Sequence, residues 1–174
     1  MGDALHSQLL KQSRRLAKLG KGRPNKGNLR RAVSTAYYAL FHFLLDRSSK
    51  VLMGTRNSER RFRDTLARAF EHGEMAQACK TFSGGQFPKG LTSALGGAYV
   101  PPKGIASVAS TFREAQEKRH RADYDRSYIP TKADVLLLIQ SVDHAMSSFD
   151  SAGGIVDRKF FLHCLLTWKK LERR

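Results

Sequence analysis

Residues 119–128, RHRADYDRSY, set three arginines, two aspartates, two tyrosines and a histidine within ten positions, and a further arginine stands at 113. A guanidinium holds a phosphate through a rigid fork of donors, and an imidazole passes protons near neutral pH. Arg113 and His120 are therefore the pair on which a metal-free phosphoryl transfer would rest, with His120 as acid or base and Arg113 facing the phosphate. The competing reading is a solvated helix end, since most charge runs are exposed helix faces. The chain has six histidines, and one on a polar helix is ordinarily surface.

For these side chains to act together they must share a face. At about 100° per residue, Arg113, Glu117, His120 and Tyr124 fall within about 60° of one another on a helix. The apolar stripe of the same helix is Ile105, Val108, Phe112 and Ala115, and its continuation runs into Arg119 and Asp123. A charge on the core side is tolerable when it is paired and hydrogen-bonded. An Arg119–Asp123 pair is thus expected to organise the helix beneath the polar stripe. Tyr124 either packs its ring against the bundle or presents its hydroxyl to solvent.

The elements that must hold this stripe are all helical, because apolar spacing follows the helical period and no alternating strand pattern stands out. A first helix is expected over 3–19, closed by Gly20. A linker GKGRPNKGN follows, with Asn28 as the N-cap of the next helix. That helix, LRRAVSTAYYALFHFLLDRSSKVL, puts Leu29, Val33, Ala36, Leu40, Phe43 and Leu44 on one broad face, which marks it as central. A cationic helix is expected over about 58–79, with a seam of Phe62, Leu66, Ala69 and Phe70. Residues 80–104 hold six glycines and three prolines and read as irregular, with Phe82, Phe87 and Tyr99 either packing the segment down or stacking on bases. The helix of Arg113 and His120 covers about 105–126, and the next starts near Thr131 with Val135, Leu138, Ile139, Val142, Met146 and Phe149 on its stripe. A C-terminal amphipathic helix over 156–172 has a wide apolar face for the bundle or for a second subunit; a membrane-surface role is the lesser alternative. The expectation is one all-α domain, an up-and-down bundle with its core over about 28–150.

Thirty-one Lys and Arg against fifteen Asp and Glu leave a net charge of +16. Such a field draws polyanions, RNA first among them. Arg60, Arg61, Arg63 and Arg121, with Arg56 and Arg68 nearby, are candidates for the backbone contacts. Cys79 and Cys164 lack metal-ligand spacing and read as reduced thiols of a cytoplasmic protein. No cofactor or metal is called for. The first residues lack the apolar run of a secretory signal, and no apolar run approaches the ~20 residues of a membrane span.

Two of these stretches resemble a known family. AYYALFH, within the central helix, and RADYD resemble the paired signatures of small prokaryotic members of the HEPN superfamily (higher eukaryote and prokaryote nucleotide-binding domains), over roughly residues 28–150. The resemblance implies a four-helix core and a metal-independent endoribonuclease, toxin or defence effector, that works as a homodimer. It also implies a nucleotidyltransferase-type antitoxin partner, and Tyr124 matches the tyrosine that such partners adenylylate in some members. Arg113 and His120 fit the family's R-x6-H spacing. Aligned instead on an R-x4-H-x-Y form through Tyr124, the chain has Ala122 and Glu117 at the His and Arg places. In that register it would be a non-catalytic module that binds RNA, nucleotide or the transferase.

Overall fold

The computed structural model describes residues 4–19 and 25–173. In chain order these form α1 (Leu5–Lys18), α2 (Lys26–Met53), α3 (Arg60–Leu66), α4 (His72–Gly84), α5 (Lys89–Ala94), α6 (Lys103–Tyr124), α7 (Lys132–Ser148) and α8 (Ile155–Leu171). No strand occurs among the described residues. The chain divides into two compact units, Met1–Phe43 with Thr111–Ser147 and Leu44–Ser110 with Ser148–Arg174, so α2 and α6 each contribute to both.

In the first unit α2 supplies the core. Leu29, Val33, Ala36 and Leu40, spaced one turn apart, are all buried. Full burial of a Val or Leu side chain stabilises by about 1.5–3 kcal/mol, so this row outweighs helical propensity in fixing α2. α1 turns Leu10, Ser13 and Ala17 inward, and Ser13 Oγ donates to the Ala32 carbonyl at 2.8 Å, which lets a hydroxyl sit in the core. α2 starts earlier than expected. Asn25, not Asn28, is the cap: its Oδ1 accepts from the Gly27 and Asn28 amides at 2.8 and 3.3 Å. The expected stop at Gly20 lies outside the described residues. α7 opens on a reciprocal cap in which Thr131 N and Oγ1 donate to Asp134 Oδ2 and Asp134 N donates to Thr131 Oγ1. Its stripe is Val135, Leu138, Ile139, Val142 and Ala145, with Met146 only half-buried.

The second unit corrects two expectations. The cationic helix of 58–79 is broken: α3 ends in a 3-10 turn at Ala67–Ala69, Phe70 and Glu71 are extended, and α4 begins at His72. The break turns Phe70 inward and frees α4 to bury its own stripe of Met75, Ala78, Cys79 and Phe82. Nor is 80–104 irregular throughout. α4 runs to Gly84 and ends on Gly85 with φ 71°, a left-handed cap that suits glycine, and α5 follows.

Packing takes the aromatics of this segment. Phe82 is fully buried, with Phe161 and Phe87 edge-on at 4.9 and 5.1 Å, and Tyr99 meets Phe87 and Phe160 at 5.2 and 5.3 Å. The Tyr99 hydroxyl donates to Asp157 Oδ1 at 3.0 Å, and burial, followed by this carboxylate, pushes its pKa well up. Phe82 offers no face for a base, and Phe87 and Tyr99, half-buried, are held in the same aromatic cluster. The wide apolar face of α8 (Phe161, Leu162, Cys164, Leu165, Trp168) packs on α4 within the chain, so it gives no argument for a second subunit. Neither cysteine forms a disulfide, both are buried, and burial pushes the Cys164 thiol up to about 12. No helix among the described residues is long and apolar enough to cross a membrane.

Candidate functional site

The last three turns of α6 carry the stripe singled out by its chemistry. Burial of Phe112, Ala115 and Ala122 fixes the rotation of this helix, and it leaves Arg113, Glu117, His120 and Tyr124 exposed. Seven residues of rise separate Arg113 from His120, about 10 Å along the axis, so their side chains bracket a group lying along two helical turns. The His120 ring sits on the Tyr124 ring, with centroids 5.0 Å apart. Tyr124 is 67% exposed. Its ring is not packed into the bundle.

Beneath the stripe, Arg119 Nε lies 2.8 Å from Asp123 Oδ2, with the two side chains 18% and 23% exposed. Asp123 also accepts a hydrogen bond from Ser34 Oγ at 2.5 Å, and Arg119 donates through Nη2 to the Tyr38 hydroxyl at 2.8 Å. The guanidinium also lies over the rings of Tyr37, Tyr38 and Tyr124 at 5.7, 5.5 and 5.8 Å. It is a cation held by a carboxylate, a phenol and three π faces. Burial alone would lower the Arg119 pKa, but the Tyr38 hydrogen bond and the charges around it outweigh burial and raise it. Arg119 is a fixed charge.

The end of α6 is held by a residue that sequence reasoning passed over. Arg30 donates from Nε to the Ala122 carbonyl at 2.8 Å and from Nη1 to the carbonyls of Asp125 and Tyr128 at 2.8 and 3.1 Å. The first is one of the carbonyls that the last turn of α6 leaves without intrahelical partners, the other two belong to the turn after it, and a cation there also favours the helix dipole. Asp125 closes the turn by accepting from Ser127 N and Oγ at 2.8 and 2.6 Å; those bonds, the side-chain one foremost, hold its carboxyl below the usual range. Arg30, Ser34, Tyr37 and Tyr38 all come from the stretch leading into ALFH; the partners of the first two lie in RADYD and the turn after it, and that of the two tyrosines is Arg119, just before it. One helical period before AYYALFH, the polar positions 30 and 34 on an otherwise apolar face were the signal that could have found two of them.

His42, also missed, is half-buried one turn beyond Tyr38, with ring centroids 6.4 Å apart, and burial lowers its pKa. Arg121 stacks on Tyr128 at 4.4 Å. The remaining nucleic-acid candidates belong to the second unit and differ among themselves. Arg60 is 75% exposed, and Arg61 lies over the exposed Phe62 ring at 4.9 Å. Arg63 is 14% exposed and donates to the carbonyls of Gly54 and Arg56 at 3.0 and 2.9 Å, which closes the turn between α2 and α3. Arg63 is an internal strut rather than an open cation.

No family model matches the chain, and no curated protein or solved structure matches it.

Proposed function

We propose that the chain is a metal-independent endoribonuclease of the HEPN type, with Arg113 and His120 as its catalytic pair. The observation that carries the reading is the exposure of Arg113, His120 and Tyr124 along one face of α6, above a helix that AYY of α2 anchors through Arg119. In the alternative register the histidine place is Ala122, 4% exposed and turned to the core, so any catalysis falls to the 113/120 register. His120 takes the proton of a 2′-hydroxyl as its oxygen attacks the adjacent phosphorus. Arg113 stabilises the charge that develops on the non-bridging oxygens. The P–O5′ bond breaks, leaving a 2′,3′-cyclic phosphate and a 5′-hydroxyl. The leaving oxygen needs a proton, which the His120 of a second copy supplies in the homodimer that the HEPN resemblance implies. Tyr124, with its ring in solvent, is open to a nucleotidyltransferase partner, and an adenylate there would set a phosphate against His120.

The second reading, a non-catalytic RNA-binding member, is favoured by one observation: the His120 ring lies against Tyr124. Cleavage of single-stranded RNA in EDTA separates the two. The first reading expects cyclic-phosphate ends, with His120→Ala slowed by about 10²–10⁴-fold, the usual worth of a general acid or base. Binding without cleavage, or equal cleavage by His120→Ala, hands the site to the second reading.

A further inference from the structure

The last turns of α2 and the first turns of α8, both in the second unit, enclose a cleft of about 270 Å³. It lies outside the Arg113–His120 face and has no part in the chemistry above. Its walls are aliphatic, formed by Val51, Ile155 and Leu162, with the buried Phe149 beneath them. Its polar lining is lopsided. Arg47, Lys50, Arg158 and Lys159 stand against one carboxylate, Asp150, four cations less one anion, for a formal +3.

Internal bonds absorb part of that charge. Arg47 pairs with Asp150 at 3.0 Å, Lys50 with Asp46 at 2.7 Å, and Arg158 donates to the Gly153 carbonyl. Lys159, exposed on the first turns of α8, has no ionic partner among the described residues. The cleft therefore combines an aliphatic lining, buried at Leu162 and open to solvent at Ile155, with unneutralised positive charge at its edge, the pairing of surfaces that accepts an amphiphilic anion.

A nucleotide is the obvious rival, and the lining argues against it. A base is bound by an exposed ring or by side chains that read its edges. Here the one ring among the described lining residues is buried, no asparagine or glutamine faces the space, and the two lining arginines are engaged by Asp150 and the Gly153 carbonyl. A volume at the low end of small-ligand pockets also favours a slender body. We propose that this cleft binds a small monoanion with an aliphatic body, of the medium-chain carboxylate class. The head group sits beside Lys159, and the chain lies over Val51, Ile155 and Leu162.

Titration calorimetry of the full chain with decanoate below its micelle concentration tests this. Saturable one-to-one binding is expected. Lys159→Glu, which reverses an exposed charge, and Ile155→Asp, which wets one wall, should each weaken it by about tenfold or more. Both positions are exposed, and unchanged circular dichroism and melting temperature would establish that the variants fold. Adenosine monophosphate binding as tightly as decanoate overturns the aliphatic assignment. Binding of Lys159→Glu at wild-type strength overturns the cleft. Capture by anionic lipid vesicles with no binding of monomeric decanoate overturns the small ligand in favour of a lipid surface.

Discussion

Asp123 lies between two helices and answers to both. It takes the charge of Arg119 on α6 and the hydroxyl of Ser34 on α2; without it Arg119 would lose its carboxylate and Ser34 would keep only a longer bond to the Arg30 carbonyl at 3.4 Å. Removing one member of a fully buried ion pair costs about 3–5 kcal/mol, but roughly a fifth of each side chain here still meets water. The expected loss for Asp123→Ala is therefore about 2 kcal/mol, in the range of a single charged hydrogen bond. Urea denaturation measures it, and an unchanged midpoint would mean the pair is ornamental. His42 gives a second test at this scale. Burial lowers its pKa in the folded state, so the unfolded chain binds the proton more readily. Stability should be full above the ordinary histidine pKa of about 6.5 and fall as pH drops through the lowered folded value. His42→Phe should flatten the melting temperature over about pH 5–7, and a slope left intact would assign that pH dependence to another group. The Arg119–Asp123 pair was legible because both residues lie on the apolar side of their own helix. Their partners were not, since Ser34 and Tyr38 stand more than eighty positions away and a single sequence says nothing about which helix faces which.

At the level of elements, the long α2 and α6 could be read from periodicity alone, because their apolar rows span many turns. The failures came where two signals competed. Between Arg60 and Gly84 every local residue tolerates a helix, yet the chain breaks at Phe70 and Glu71, where burying the Phe70 ring outweighs two residues' worth of helical hydrogen bonds. The glycines after Ser83 read as a loop, but Gly84 is helical and Gly85 is its left-handed cap, so here glycine ends a helix rather than preventing one. Gly104, in the first turn of α6, has a different role. A Cβ at this position would lie 2.5 Å from the Ala152 backbone, which no side-chain adjustment relieves. Gly104→Ala trades a gain in helical propensity for a backbone clash. The clash should win, with a net loss of about 1–3 kcal/mol and a lower melting temperature. A variant more stable than the wild type would show that α6 can slide away from Ala152.

For the molecule as a whole, a net charge of +16 overstates what a polyanion can use. Arg30 and Arg63 are committed to backbone carbonyls, and Arg119 to Asp123 and Tyr38. Arg60 and Arg61 are different. The first has only a loose pair with Asp64 at 3.8 Å, and the second lies flat on an exposed Phe62. An arginine on an exposed ring is a surface to which single-stranded RNA adds both a phosphate and a stacked base. On the proposed function, RNA binding should accordingly weaken steeply with salt, by about 0.7 in the logarithmic slope for each phosphate contact on a single strand. The double change Arg60→Ala with Arg61→Ala should reduce that slope by about two contacts and leave the melting temperature where it was. Arg63→Ala should do the reverse, lowering the melting temperature because the Gly54 and Arg56 carbonyls each lose a bond that closes the turn, while the slope barely moves. Fluorescence anisotropy over a salt series, run beside thermal melts of the same proteins, reads both quantities. If the double change leaves the slope untouched, RNA does not run over α3, and its contacts pass to Arg113 and Arg121 on α6.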